Sequence, residues 1–251
     1  MTLLNTYSEY DAWAWIYHKT LGVRYCSPRL QILEKLLLKH LPHQANILDL
    51  CCGTGQVAQH LIAKGYELTG IDNSQKMIDY ARKTAPSGKF IVDDARSFQL
   101  PSTFDAVIST SAGLNHILNI DELKKVFENV YAALQENSWF LFDLNLDKAY
   151  QIHDEQGTLV EGYIEDDYAL AISRSHNHES NTSCLKLAIF YLLETGWQRS
   201  NLICPVKGYS QPEIEYILEK VGFTEINVYN CHGDLELTES DDFVYFVARK
   251  R

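Results

Sequence analysis

One short segment combines side chains and glycines that could hold a charged ligand. Asp49 is followed by two thiols, Cys51 and Cys52, and then by Gly53 and Gly55. Glycines at the point where a strand turns into a helix let a ligand lie against the backbone. The first turn of that helix also offers unpaired N–H donors. The segment therefore predicts a ligand site at the end of a strand.

Charge decides which ligand suits this turn. The spacing from Gly53 to Ala58 satisfies the fingerprint of dinucleotide-binding folds, which accepts alanine at its last position. A dinucleotide would place a pyrophosphate over the turn, yet Asp49 lies there and no lysine or arginine occurs between Lys39 and Lys64. This charge favours a ligand that carries an ammonium and a sulfonium group. A nicotinamide-dependent oxidoreductase is the less favoured alternative.

Acidic residues also follow the next two predicted strands. Asp72 ends the second strand, 17 residues after Gly55, where a carboxylate can accept hydrogen bonds from both hydroxyls of a ribose. Asp93 and Asp94 follow the third strand, where one carboxylate can accept from an adenine amino group. Asp94 is favoured because it stands directly before Ala95, but the choice between the two stays open.

The elements that must position these residues alternate between strand and helix. Predicted strands cover residues 46–50, 66–71, 89–92, 105–109 and 139–144. Helical spacing of apolar residues fills the stretches between most of them. This alternation indicates an α/β fold with a parallel, doubly wound, Rossmann-like sheet.

Two other segments carry structural signals of their own. Ser27 and Pro28 are typical of a helix start, with the proline in the first turn, and predict a helix that ends before Pro42. From about 150 to 207 the pattern changes to strand-like stretches separated by turns, which predicts an antiparallel insertion that roofs the substrate side. The alternation resumes at the capping box Ser210–Glu213, and two more strands close the chain.

The composition limits the classes of function. The 251 residues are 46 % hydrophobic and 22 % charged, with a net charge of −11. An acidic chain repels phosphate backbones, so no nucleic-acid partner is expected. No apolar run is long enough to span a bilayer, so no membrane partner is expected either. None of the six cysteines forms a C-x-x-C pair, so we expect reduced thiols, no metal site and a cytoplasmic protein. The first ten residues have no basic segment before an apolar stretch, so no signal peptide is expected.

Four motifs occur in order along the chain. They are Leu48–Gln56, Gly70–Ile78, Val92–Arg96 and Phe104–Thr110. Together they resemble the motifs of the class I S-adenosylmethionine-dependent methyltransferases that act on small molecules, over about residues 44–145 and again over 210–251. The resemblance implies a single domain over residues 1–251. It also implies a seven-stranded sheet in the order 3-2-1-4-5-7-6 with the last strand antiparallel.

The same resemblance implies S-adenosylmethionine as cofactor and S-adenosylhomocysteine as product. It places an N-terminal lid over residues 1–28, in which the segment Tyr10–Tyr17 is similar to the lid of small-molecule members. Asp49 would either bond the methionine amino group or orient loop amides. The implied cofactor-binding residues are Tyr17, Arg24, Asp49, Cys51, Cys52, Gly53, Gly55, Asp72, Asn73, Met77, Asp93, Asp94, Ala95, Ser109 and Thr110.

The acceptor side is less defined by the sequence. His116 lies in the loop after the fourth predicted strand. Its role is a general base, a substrate-orienting residue or a hydrogen-bonded loop histidine, and the sequence leaves these alternatives open. As a base it would give the pH–rate profile an ionisation near the ordinary histidine range. We expect methyl transfer to a nitrogen or oxygen of a small molecule, with a non-catalytic S-adenosylmethionine-binding regulatory protein as the alternative. No motif predicts the acceptor or the oligomeric state.

Overall fold

Two β-sheets and seven α-helices make up the part of the chain that a computed structural model describes, residues 9–153, 156–179, 181–235 and 243–251. The strands are β1 (Asn46–Leu50), β2 (Glu67–Asp72), β3 (Lys89–Val92), β4 (Phe104–Ser109), β5 (Leu134–Asn145), β6 (Thr158–Ile164), β7 (Tyr168–Asn177), β8 (Thr182–Leu193), β9 (Gly196–Val206), β10 (Thr224–Asn230) and β11 (Phe243–Arg249). The helices are α1 (Ala14–Lys19), α2 (Leu21–Leu36), α3 (Gln56–Ala63), α4 (Gln75–Thr84), α5 (Ile120–Ala133), α6 (Lys148–Gln151) and α7 (Gln211–Val221). Within these ranges no helix is both long and apolar enough to cross a membrane.

The larger sheet has seven strands in the order β10-β11-β5-β4-β1-β2-β3. Strands β1 to β5 run parallel to one another, whereas β11 lies antiparallel between β5 and β10. Since β10 and β11 are the sixth and seventh strands of this sheet along the chain, the predicted order and the antiparallel last strand are confirmed. The carboxyl ends of β1 to β4 meet at one edge, which carries the predicted ligand residues.

Both faces of this sheet are covered by helices, as the side chains of β1 illustrate. Successive side chains of a strand point to opposite faces. Leu48 and Leu50 pack with Phe127 of α5 on one face, while Ile47 packs with Leu33 of α2 on the other. All five side chains are fully buried. The apolar runs in the sequence are therefore the core of an α/β sandwich, and ligands reach the sheet at its edge.

The start of α2 differs from the prediction. The helix begins at Leu21 and contains Pro28 in its interior, so the predicted start at Ser27 was wrong. An interior proline loses the bond to the carbonyl four residues earlier, here Arg24, and disfavours the helix. The helix nevertheless continues because residues ahead of the proline, including Cys26, are buried, and tertiary packing outweighs local propensity. The predicted lid boundary at residue 28 therefore falls within a continuous helix.

Strands β6 to β9 form a second, wholly antiparallel sheet in chain order, which confirms the predicted antiparallel insertion. We call it the roof sheet. Its inner face, including Ile172 and Leu187, packs against Trp13 and Ile16 of the N-terminal segment. The first eight residues of the predicted lid lie outside the described residues.

The close approach of α3 to α4 generates a prediction about Gly55. A Cβ on Gly55 would lie 2.9 Å from the Ala81 Cα, and the φ angle of +83° disfavours any L side chain. Gly65 has a similar φ of +95° but nothing within 4 Å, so Gly65→Ala is a matched control. We expect Gly65→Ala to lower the free energy of unfolding by about 1–2 kcal/mol, and Gly55→Ala by about 1–3 kcal/mol more. Urea unfolding measures both, and equal losses would contradict the packing argument.

Candidate active site

A cavity of about 270 Å³ lies at the carboxyl edge of the larger sheet. The loops after β1 to β4 form its floor, the N-terminal helical segment forms one wall, and the roof sheet covers it. The predicted site residues that line it are Tyr17, Cys51, Gly53, Asp72, Asn73, Met77, Asp93, Asp94, Ala95, Thr110 and His116. Most of the site residues predicted from the sequence therefore line the same cavity.

The other five predicted residues lie beside or behind the cavity. Asp49 and Cys52 line a smaller recess of about 30 Å³ that shares part of the cavity wall. Gly55 lies behind the turn, where it allows α3 to approach α4, and Ser109 is buried at the end of β4. Arg24 lines neither space; its guanidinium is more than half exposed and donates to Glu161 of the roof sheet at 2.7 Å.

The turn after β1 explains why glycine is required at one of the predicted positions. Gly53 has a φ of +54°, and a Cβ there would lie 3.3 Å from the ring of Tyr17. Its backbone N–H donates to the Asp72 carboxylate at 2.9 Å. A side chain at this position would push the lid tyrosine away and strain the backbone. The turn therefore brings a bare peptide group to the cavity surface.

Asp72 joins two pieces of the cavity floor. One carboxylate oxygen accepts from the Gly53 N–H, and the other accepts from the Ser74 N–H at 3.0 Å, at the start of α4. Burial raises the pKa of Asp72 to about 6, and the two backbone hydrogen bonds only partly oppose that rise. Each carboxylate oxygen can accept more than one hydrogen bond. Holding the Gly53 turn to the start of α4 and accepting from a ligand are therefore compatible.

Asp49 supplies a second buried carboxylate close to the first. Its pKa is raised to about 8, first by burial and then by the negative charge of Asp72. The described residues that line the recess around Asp49 include no lysine, arginine or histidine. A buried carboxylate without a counter-charge favours a bound cation. The recess therefore fits a cationic ligand and not a pyrophosphate.

The two carboxylates after β3 have different partners. Asp94 accepts from Arg96 Nη2 at 2.6 Å and from Arg96 Nε at 2.9 Å, and these hydrogen bonds lower the pKa of Asp94. Asp93 accepts from the Asp94 backbone N–H at 2.8 Å. Both residues line the cavity, so the choice between them as the adenine-binding carboxylate stays open.

A buried ion pair that the sequence analysis missed supports the loop after β4. Asp143 accepts from the backbone N–H groups of Ser111 and Ala112 at 2.8 and 2.6 Å, and both of those residues have positive φ angles. Arg29 of α2 lies 3.5 Å from the Asp143 carboxylate, and both side chains are buried. The sequence does contain a signal for this ion pair, since an aspartate in the middle of the apolar run of β5 is expected to be buried. A buried charge needs a partner.

His116 contacts a lid tyrosine. Its Nε2 lies 2.6 Å from the Tyr10 hydroxyl, and its ring also bonds the backbone carbonyl of Pro205 in β9. This arrangement fits the neutral tautomer that carries its proton on Nδ1 and accepts from Tyr10 at Nε2. Burial lowers the pKa of His116 to about 4. An ionisation of His116 is therefore expected near pH 4 and not in the ordinary histidine range.

Known proteins resemble this chain in sequence and in fold. Residues 47–137 match a family model described as a methyltransferase domain. A protein from Geobacillus sp. (strain WCH70) that is named as a methyltransferase is 26 % identical over 256 residues, which cover 96 % of this chain and 99 % of the relative. The crystal structure of an S-adenosylmethionine-dependent methyltransferase from Clostridium acetobutylicum ATCC 824 matches with a TM-score of 0.77 at 21 % identity, over 97 % of this chain and 99 % of that one.

Over residues 47–137 the chain carries a methyltransferase domain, and its fold is that of S-adenosylmethionine-dependent methyltransferases. The domain and the relative indicate a methyltransferase, an enzyme, and not a nicotinamide-dependent oxidoreductase. The solved structures that share its fold include one with S-adenosylmethionine bound, at 16 % identity. Over a shorter stretch, 91 residues that cover 36 % of this chain and 38 % of the relative, the chain is 30 % identical to dTDP-3-amino-3,4,6-trideoxy-alpha-D-glucopyranose N,N-dimethyltransferase from Streptomyces venezuelae. The residues present fit the cofactor, because its ammonium and sulfonium charges would complement the unpaired acidic recess.

The raised pKa of Asp49 predicts how the stability of the ligand-free methyltransferase depends on pH. The folded protein holds a proton on Asp49 up to about pH 8, whereas the unfolded chain releases it near pH 4. The stabilisation is therefore fully present below about pH 4 and is lost progressively up to about pH 8, at up to ~1.4 kcal/mol per pH unit. Between pH 6.5 and 8.5 wild type should lose more stability than Asp49→Asn, as measured by urea unfolding.

An exposed carboxylate provides the control for this measurement. Asp166 lies in the exposed turn between β6 and β7, so Asp166→Asn should follow the wild-type pH dependence. If Asp49→Asn also follows it, Asp49 is ionised in the ligand-free protein and the argument for an unpaired acidic recess fails.

Proposed function

We propose that this enzyme transfers the methyl group of S-adenosylmethionine to a nitrogen atom of a small molecule, with an oxygen acceptor as the second choice. The observation that carries the proposal is the neutral His116 in contact with Tyr10, both lining the cavity that also holds the acidic residues of the floor. Support also comes from the Streptomyces venezuelae relative, whose name describes an N,N-dimethyltransferase of an amino sugar.

For the cofactor we propose contacts that follow the charges of the floor. Asp72 would accept from the ribose hydroxyls, and Asp93 or Asp94 from the adenine amino group. Asp49 would face the cationic methionine end. The other lining residues proposed to touch the cofactor are Tyr17, Cys51, Cys52, Gly53, Asn73, Met77, Ala95 and Thr110. The bound sulfonium supplies a methyl group that is already activated for displacement.

Three predicted residues would act indirectly. Gly55 would let α3 pack close to α4 and so hold the turn that carries Gly53. Ser109 would fill the space below that turn. Arg24 would hold the lid helix to the roof sheet through Glu161. In this proposal residues 1–28 act as a lid and residues 150–207 as the roof of the acceptor pocket.

The chemistry asks the protein chiefly to align the acceptor and to exclude water. An amine must be neutral to attack, and a buried imidazole with a pKa near 4 does not return a proton to it at neutral pH. The Tyr10 hydroxyl donates to His116 Nε2. The Tyr10 oxygen can therefore accept a hydrogen bond from the amine N–H and orient the nitrogen lone pair toward the methyl group, and the proton that the methylated nitrogen carries leaves to solvent with the product.

We also propose a cytoplasmic location and small-molecule partners only. Within the described residues, which include all six cysteines, none of them forms a disulfide, and this supports a reducing compartment. The net charge of −11 disfavours a nucleic-acid partner.

Methyl transfer to pooled small amines tests the proposal directly. We expect wild type to move radiolabelled methyl from S-adenosylmethionine into an amine pool more readily than into an alcohol pool. His116→Ala should lower turnover by about 10²-fold, the scale for a misplaced reacting group, while calorimetry finds cofactor affinity nearly unchanged. The exposed His178 serves as control, because His178→Ala should leave turnover unchanged. Wild-type turnover in His116→Ala would reduce His116 to a loop histidine. Loss of cofactor binding would place it in the cofactor site.

A further inference from the structure

One positive charge in the roof sheet has no negative partner. Arg174 of β7 lines the cavity, and its Nε is buried without a hydrogen-bond partner. Among the residues that the structure describes, no carboxylate lies within 4.0 Å of its guanidinium. The Arg174 side chain is half-buried, and leaving its buried Nε–H without a hydrogen bond is costly. A ligand that brings the missing negative charge would remove the cost.

The acid on the same side of the cavity is already engaged. Glu161 of β6 accepts from Arg24 at 2.7 Å, from the Tyr25 hydroxyl at 2.6 Å and from the Tyr163 hydroxyl at 2.6 Å. The remaining lining carboxylates belong to the floor loops after β2 and β3. Glu161 therefore links α2 to the roof sheet and does not neutralise Arg174.

A neighbouring ring fixes where the guanidinium can reach. The Arg174 Cζ lies 5.6 Å from the ring centroid of Tyr150, and Tyr150 is itself buried and hydrogen-bonded to Asn145. A guanidinium held against an aromatic ring keeps its N–H edge directed away from the ring. That edge matches carboxylate and phosphate oxygens in a bidentate manner.

We infer that the methyl acceptor carries an anionic group, a carboxylate or a phosphate, which Arg174 binds from the roof sheet. The inference rests on the proposed function, since it assigns the substrate class of the same cavity. The acceptor would then be an amine with a negative group elsewhere in the molecule. Binding of that group to Arg174 would hold the amine against the Tyr10–His116 pair.

The test separates a metabolite pool by charge and compares two arginine variants. Anion exchange at about pH 11, where amines are neutral and only carboxylates and phosphates are charged, divides the pooled amines into anionic and non-anionic fractions, and each fraction is then assayed for methyl transfer at neutral pH. Arg174→Met should raise the KM for the anionic acceptor by about 10- to 100-fold, the range for a charge-assisted hydrogen bond. Arg199 provides the matched control, because it lies against Phe190 at the same 5.6 Å but is exposed on β9. Arg199→Met should leave KM unchanged.

Each outcome of the assay decides the inference. Transfer into the non-anionic fraction, or an equal KM in wild type and Arg174→Met, overturns it while the proposed methyl transfer stands. Phosphatase treatment of the anionic fraction then distinguishes the two anions, since only a phosphorylated acceptor loses activity.

A binding measurement covers the case in which no fraction accepts a methyl group, which would count against the proposed function. Inorganic phosphate, pyrophosphate and acetate are then added separately to protein saturated with S-adenosylhomocysteine, and thermal unfolding is followed. Stabilisation of wild type but not of Arg174→Met supports the anion site. Equal stabilisation of both proteins, or of neither, overturns it.

Discussion

Two carboxylates at the edge of the larger sheet, the buried Asp49 and the half-buried Asp72, constrain the rest of the site. Strands β1 and β2 are parallel neighbours in register, which holds both residues at the same edge. Burial raises the pKa of both, and the charge of Asp72 raises that of Asp49 further. Helix packing on both faces of the sheet leaves only the edge open to a ligand. Among the described residues, no lysine, arginine or histidine lines the recess around Asp49. A positively charged ligand would therefore supply the missing counter-charge.

The wall above this edge is held by polar contacts between segments that are far apart in the chain. Asp11 of the N-terminal segment accepts from the Ser74 hydroxyl at 2.5 Å and from the Lys76 N–H at 3.1 Å, at the start of α4. Arg29 of α2 reaches Asp143 under the loop after β4. The N-terminal segment and α2 are therefore fastened to the helix and to the loop that border the cavity floor.

The sequence alone predicted the features that depend on residues close together in the chain. The apolar runs predicted the sheet, and the spacing of Gly53 and Asp72 placed them at one edge, because parallel strands end together. The start of α2 was missed because tertiary burial of residues before Pro28 overrides a local signal. The partners of Arg29 and of His116 were also missed, since each contact joins segments that meet only in the folded chain. The spacing of apolar residues predicts helices and strands but does not predict tertiary contacts between distant segments.

The most direct test of the central claim counts the protons released when S-adenosylmethionine binds. Calorimetric titrations at pH 7 in two buffers with different ionisation enthalpies give that number. The account predicts release of about one proton, because Asp49 is protonated in the ligand-free protein below its pKa of about 8 and a bound cation favours its ionised form. Binding without proton release would contradict the account, since it would mean that the recess is already ionised and that its charge is balanced by the protein.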